Sequence, residues 1–256
     1  MPSRRAWTIL AGVAVLAVVV LVCVLLTPRG DDRDDSESPS SSEEQVEVPD
    51  AAPPAPLDVA PHAPGYAGLI NQQWAADISD STDISYPVVL AYAGAVMAAQ
   101  ANFPECTLSW NTLAGIGSVE SDHGRHDGAS VDAAGNVSPP IFGVPLTGGD
   151  VENIPDTDGG EIDGTAEFDR AVGPMQIIPS TWTSWTNDGN GDGIQDPQNI
   201  FDSTLAAANY LCFHNPDWST PDDWRAGISW HNAATGYAAN VAAAAQRYAE
   251  AAAAIS

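Results

Sequence analysis

The chain divides by its pattern of apolar and polar positions into three stretches. From Ile9 to Leu26 the apolar run is unbroken, enough for a helix to cross a bilayer core of roughly 30 Å, and Arg4 and Arg5 stand before it. From Pro28 to Pro64 large apolar residues nearly vanish and Asp, Glu, Ser and Pro take over, so the segment cannot offset its own ordering entropy. From Tyr66 onward apolar and aromatic residues recur at helical spacing, with no sustained alternation of period two.

A mainly α domain follows, with helices expected over Val88 to Gln100, Trp110 to Asp122 with Gly124 as a stop, Ser180 to Trp185, Ile200 to Leu211, Pro221 to Trp230 and Tyr237 to Ala253. Thr220, Pro221 and Asp223 supply an N-cap, a first-turn proline and an early acid. The stretch Gly128 to Arg170, rich in Gly, Pro and Asp, is unlike the rest, and its length predicts that it borders a binding site. The expected organisation is a cytoplasmic N-terminus and transmembrane anchor over 1–27, a disordered linker over 28–64, and one helical domain over 65–256 on the extracytoplasmic side of the plasma membrane. A cleaved signal peptide is the alternative for the anchor, but the run is long for one and no small-x-small site follows it.

Charge narrows the partners. The formal net charge is −26, with no lysine and eight arginines, which excludes a basic face for nucleic acid. Cys23 lies in the apolar run, so the exported part has an even pair, Cys106 and Cys212, and an oxidising compartment predicts a disulfide between them. No Cys or His spacing suggests zinc.

The most specific local signal is Asp188, Asn190, Asp192, Gly193 and Asp196, with Ile194 placed to offer its carbonyl. These are oxygen ligands at the spacing of an EF-hand-like calcium loop, with a tight-turn glycine at the sixth position. Asn199 stands at the twelfth position in place of a bidentate Glu, so a structural Ca2+ in a weaker or differently closed site is expected. A Gly/Asp turn without metal is the alternative.

Three further groups of residues carry chemistry in combination: Glu120-Ser121 at the end of a helix, Gly173-Pro174-Met175-Gln176 running into Ile177, Ile178, Pro179, Ser180, Thr181 and Trp182, and Ser229-Trp230-His231-Asn232 with Tyr237 beyond. Their order, with the Asp-rich loop between the second and third, resembles the lytic murein transglycosylases of the B type, over roughly Leu108 to Tyr248. The resemblance implies a lysozyme-like helical fold with a substrate groove. It implies that Glu120 is the acid and base, that Ser121 orients its carboxyl group, that Gln176 and Asn232 bind glycan, and that Tyr237 is an aromatic near the catalytic Glu. His231, between Trp230 and Asn232, departs from the pattern and is expected to be a structural histidine. Trp182, Trp185, Trp218 and Trp224 are expected mostly in the core. The loop of Asp156, Asp158 and Glu161 receives no role.

With no second acid at a motif position, the resemblance implies substrate assistance: the 2-acetamido group acts at the anomeric carbon, the muramic 6-hydroxyl attacks, and Glu120 takes its proton. The product is 1,6-anhydromuramic acid, and no cofactor takes part. The implied partners are peptidoglycan glycan strands and the membrane, with the chain a monomer. A hydrolytic lysozyme, a non-catalytic wall-binding module and a calcium-dependent adhesion module are the rival readings.

Overall fold

The computed structural model describes residues 46–149 and 151–255. The expected anchor over 1–27 lies outside the described residues, as does the linker up to residue 45. Among the described residues no helix is long and apolar enough to cross a membrane.

Seven α-helices are present among the described residues: α1 (Gln72–Ser81), α2 (Tyr86–Asn102), α3 (Trp110–Ser121), α4 (Pro179–Trp185), α5 (Ile200–His214), α6 (Pro221–His231) and α7 (Tyr237–Ala254). Six match the expected segments to within a few residues. The seventh, α1, was not singled out in the sequence. Its start is set by Asn71, whose side chain accepts the Trp74 N–H at 2.9 Å, and it buries only Ala75 and Ile78.

The sequence of α2 is apolar on every side, and such a helix has no face to give to water. It accordingly lies at the centre, with Val88, Val89, Tyr92, Ala95 and Ala99 buried, and packs most extensively on α5. The other large contact is between α3 and α7. Gly115 makes that approach possible, since a Cβ there would stand 2.8 Å from the Val241 carbonyl oxygen and 3.1 Å from the Ala245 Cβ. Trp182, Trp218 and Trp224 are buried as expected, and Trp185 packs against the core while partly exposed.

Cys106 and Cys212 are bonded, with a Cα–Cα distance of 5.3 Å, and the bond ties the segment before α3 to the end of α5.

The linker boundary expected at residue 64 requires correction. Ala52 is buried, Val46, Val48 and Ala55 pack on the core, and the buried Asn111 carboxamide accepts the Ala52 N–H at 2.9 Å while donating to the Asp50 carbonyl at 2.9 Å. Small apolar residues scattered through an acidic, proline-rich stretch carry too weak a pattern to reveal that it docks.

Between α3 and α4 the Gly/Pro/Asp-rich stretch forms two small antiparallel two-stranded sheets, β1 (Ser130–Val131) with β2 (Val137–Ser138) and β3 (Phe142–Pro145) with β4 (Arg170–Val172). Strands of two to four residues are too short to show alternation in a sequence.

Candidate active site

Glu120 is the penultimate residue of α3. The helix stops there because Asp122, His123 and Gly124 take left-handed φ values of 50°, 59° and 81° in succession. The buried His123 pins this end of α3, its Nδ1 2.9 Å from the Tyr92 hydroxyl of α2 and its Nε2 2.7 Å from the Tyr248 hydroxyl of α7. Burial pushes the His123 pKa down to about 4. The Ser121 hydroxyl donates to the Pro174 carbonyl at 2.7 Å and accepts the Gly124 N–H at 2.8 Å. Both hydrogen-bonding roles of this buried hydroxyl are therefore spent on joining α3 to the Gly173–Gln176 turn. Ser121 is buried and its hydroxyl bonds to the Gly173–Gln176 turn and to Gly124, so the role expected of it is corrected to that of an anchor between two site segments.

The carboxyl of Glu120 is held from the far end of the chain. Tyr237, buried at the first position of α7, donates its hydroxyl proton to Glu120 Oε1 at 2.5 Å. Burial raises the Tyr237 pKa well above its ordinary value, and the negative charge of Glu120 and this hydrogen bond act in the same direction. The phenol thus stays protonated and serves as a fixed donor. His231, the last residue of α6, brings Nδ1 to 3.3 Å from the same Oε1 and 3.2 Å from the Tyr237 hydroxyl, its ring 3° from parallel with that of Tyr237. The side chains of His231 and Glu120 are only 8 % and 13 % exposed. The expectation of a purely structural His231 is therefore corrected: its neighbours are the carboxyl and the phenol. Its place inside the Ser229–Asn232 group was the only signal available in the sequence.

Glu120 and His231 line a groove of about 560 Å³ together with Gln176, Asn232, Val144 and Glu152. The turn that presents Gln176 is tight, and Gln176 itself has a left-handed φ of 46°, an uncommon backbone state for a residue with a side chain. Its Nε2 donates to the Gly173 carbonyl at 2.9 Å. Asn232, exposed at the end of α6, accepts the Ala234 N–H at 2.9 Å. The stretch between α3 and α4 supplies Gly143, Val144, Leu146, Val151 and Glu152 to the wall of this groove. Glu152 was not foreseen; it lies in a loop, outside any motif.

Residues 165–254 match the transglycosylase SLT domain. No curated protein and no solved structure matches the chain. The match supports a lytic transglycosylase or lysozyme-like family, and with it lytic action on peptidoglycan in general. It covers Gln176, His231, Asn232 and Tyr237 and begins after Glu120, so the matched part meets the carboxyl only through the tertiary contact of α7 and α6 with the end of α3.

The Asp-rich loop folds around Asp188, whose carboxyl accepts the N–H groups of Gly191 at 2.7 Å, Asp192 at 3.1 Å and Gly193 at 2.9 Å. Asn190, Asp192 and Asp196 offer oxygens of the type calcium takes, and among the described residues no cationic side chain bonds to any of the four. Asn199 does not fit: its Oδ1 caps α5 by accepting the Phe201 N–H at 3.0 Å, and its Nδ2 donates to the Ala134 carbonyl at 3.0 Å. The carboxylate that the fold sets against the loop is the buried Asp202, which accepts the N–H of Gly189 at 2.7 Å and of Asp196 at 2.9 Å. Burial pushes its pKa up to about 6. Elsewhere, Asp156, Asp158 and Asp169 bring carboxylate oxygens within 4.8 Å of one another. The Asp169 carboxyl is fully buried and accepts the Thr157 N–H at 2.8 Å and its hydroxyl at 2.6 Å.

Proposed function

We propose that this chain is a membrane-anchored lytic transglycosylase of the B type, facing the cell wall, that cleaves the glycan strands of peptidoglycan between muramic acid and N-acetylglucosamine. The observation that carries the reading is the Glu120 carboxyl in the groove wall, nearly closed off from solvent, with Oε1 engaged by Tyr237 and His231. With that oxygen occupied, Oε2 is the one that gives a proton to the leaving glycosidic oxygen. The ionised carboxylate then takes the proton of the muramic 6-hydroxyl as that hydroxyl attacks the anomeric carbon, and a 1,6-anhydro ring closes. Tyr237 stabilises the carboxylate between the two steps. Gln176 and Asn232 position the strand, and a Ca2+ held by Asp188, Asn190, Asp192, Asp196 and the Ile194 carbonyl braces the segment between α4 and α5.

A second reading has one observation in its favour. Glu152 lines the same groove as Glu120, and a second carboxylate is what a hydrolase uses to activate water. Mass spectrometry of soluble products from purified peptidoglycan separates the two. Anhydromuramic ends, lost in Glu120→Gln, support the lyase; reducing ends, lost in Glu152→Gln as well, support the lysozyme. Full activity in Glu120→Gln would overturn both.

A further inference from the structure

The groove continues beyond Gln176. An adjoining hollow of about 270 Å³ shares Gln176, Ile178, His231 and Asn232 with it and extends past Thr181 and Ser229 to Tyr210 and Trp230. Trp230 is 48 % exposed, whereas Trp110, Trp182, Trp218 and Trp224 are buried. It is nevertheless held in place. One face of its indole lies on the His214 ring, with centroids 4.3 Å apart and planes 25° from parallel. Its carbonyl accepts the Tyr210 hydroxyl at 2.9 Å, and Tyr210 meets His214 edge-on at 4.7 Å. A large ring fixed by its neighbours and open on its other side loses little entropy when something stacks on it.

The chemistry of the lining says what that would be. The two hollows carry the carboxyl groups of Glu120 and Glu152 and no Lys or Arg. Arg170, on the adjacent strand β4, is folded over the Phe142 ring and donates to the Gly143 carbonyl at 2.8 Å. Acidic stem peptides are therefore poorly suited to this end. An uncharged pyranose offers an apolar C–H face to the indole and hydroxyls to Thr181, Ser229 and Asn232. We propose that Trp230 is a stacking platform for a distal N-acetylglucosamine ring of the strand bound at Glu120, which makes the enzyme favour long strands. The assignment rests on the peptidoglycan reading above.

The test is the affinity of the full chain carrying Glu120→Gln for β-1,4-linked N-acetylglucosamine oligomers of increasing length. Affinity rises with length until the oligomer reaches Trp230. Adding Trp230→Ala then removes about tenfold for the long oligomers and much less for the disaccharide, and Trp230→Phe restores most of the loss. Equal affinity for long oligomers with and without the indole would overturn the proposal. Should Trp230→Ala fail to fold, oxidation of Trp230 by N-bromosuccinimide, followed by peptide mass spectrometry, reads the same contact in the unaltered chain. Long oligomers protect it and the disaccharide does not; no protection by any length refutes it. Both readouts are of binding, so an enzyme that proves inactive on peptidoglycan would sink the functional reading and leave this one standing, while lysis without a Trp230 contribution would do the reverse.

Discussion

Tyr237→Phe isolates the contact that defines the site. The phenyl ring keeps its place at the start of α7, and one hydroxyl is lost, the donor 2.5 Å from Glu120 Oε1. A hydrogen bond to a charged group is worth about 1.5–3 kcal/mol, and it favours the ionised carboxylate alone. Its removal leaves the carboxylate formed between the two chemical steps without its fixed donor. At that value kcat should fall by about ten- to a hundredfold. His231 Nδ1, 3.3 Å from the same oxygen, is placed to take over part of the load, so the lower end of that range is expected in the single variant and the upper end with His231→Gln added. The assay is release of soluble muropeptides from purified peptidoglycan, with kcat and KM resolved separately. Because the hydroxyl contacts the carboxyl and the buried phenol is not part of the groove lining, KM should change little. An unchanged kcat in a variant that folds normally would show that Tyr237 does not support the Glu120 carboxylate, and the acid-base assignment would lose its structural support.

Three other outcomes are expected. Alkylation of the folded, unreduced protein should leave Cys106 and Cys212 unlabelled, and Cys106→Ala with Cys212→Ala should cost up to about 4.7 kcal/mol in a urea melt, since the bond closes a loop with a sequence separation of 106. Chelation should lower the melting temperature and Asp188→Ala should remove that response; calcium at about a hundred times its Kd adds roughly 2.7 kcal/mol, so a curve indifferent to both would take the metal out of the loop. Burial lowers the His123 pKa to about 4, so between that pH and its ordinary 6.5 the unfolded chain binds the proton that the folded chain refuses. Stability is thus lost as pH falls through this window, by at most about 3 kcal/mol, and His123→Asn, which tolerates the left-handed backbone, should flatten that part of the stability curve relative to the parent.

Local order was legible in the sequence wherever one segment's own pattern decides its state. The apolar periodicity of Trp110 to Ser121, the cap at Thr220 and the alanine-rich run after Tyr237 each specify a helix without reference to the rest, and the helices stand there. Asp188 to Asp196 likewise announce a turn built around carboxylates, since an Asp side chain reaches the N–H groups three to five residues on. What the tertiary structure alone decided is which of these pieces meet. Residues 46–57 carry no helical pattern, and they are held by partners distant in the chain: the buried Asn111 carboxamide, the Trp110 indole N–H, Arg225 and Gln246. Asn199 reads as the closing ligand by position, yet the N-terminus of α5 claims its oxygen and leaves Asp202 to face the loop. The site itself is of this kind. A carboxyl at the end of α3 meets an imidazole at the end of α6 and a phenol at the start of α7 that both lie more than a hundred residues further along the chain, 117 in the case of Tyr237. Spacing along the chain carries no information about a contact that exists only because Gly115 lets α7 press against α3 and His123 pins the end of α3 in place.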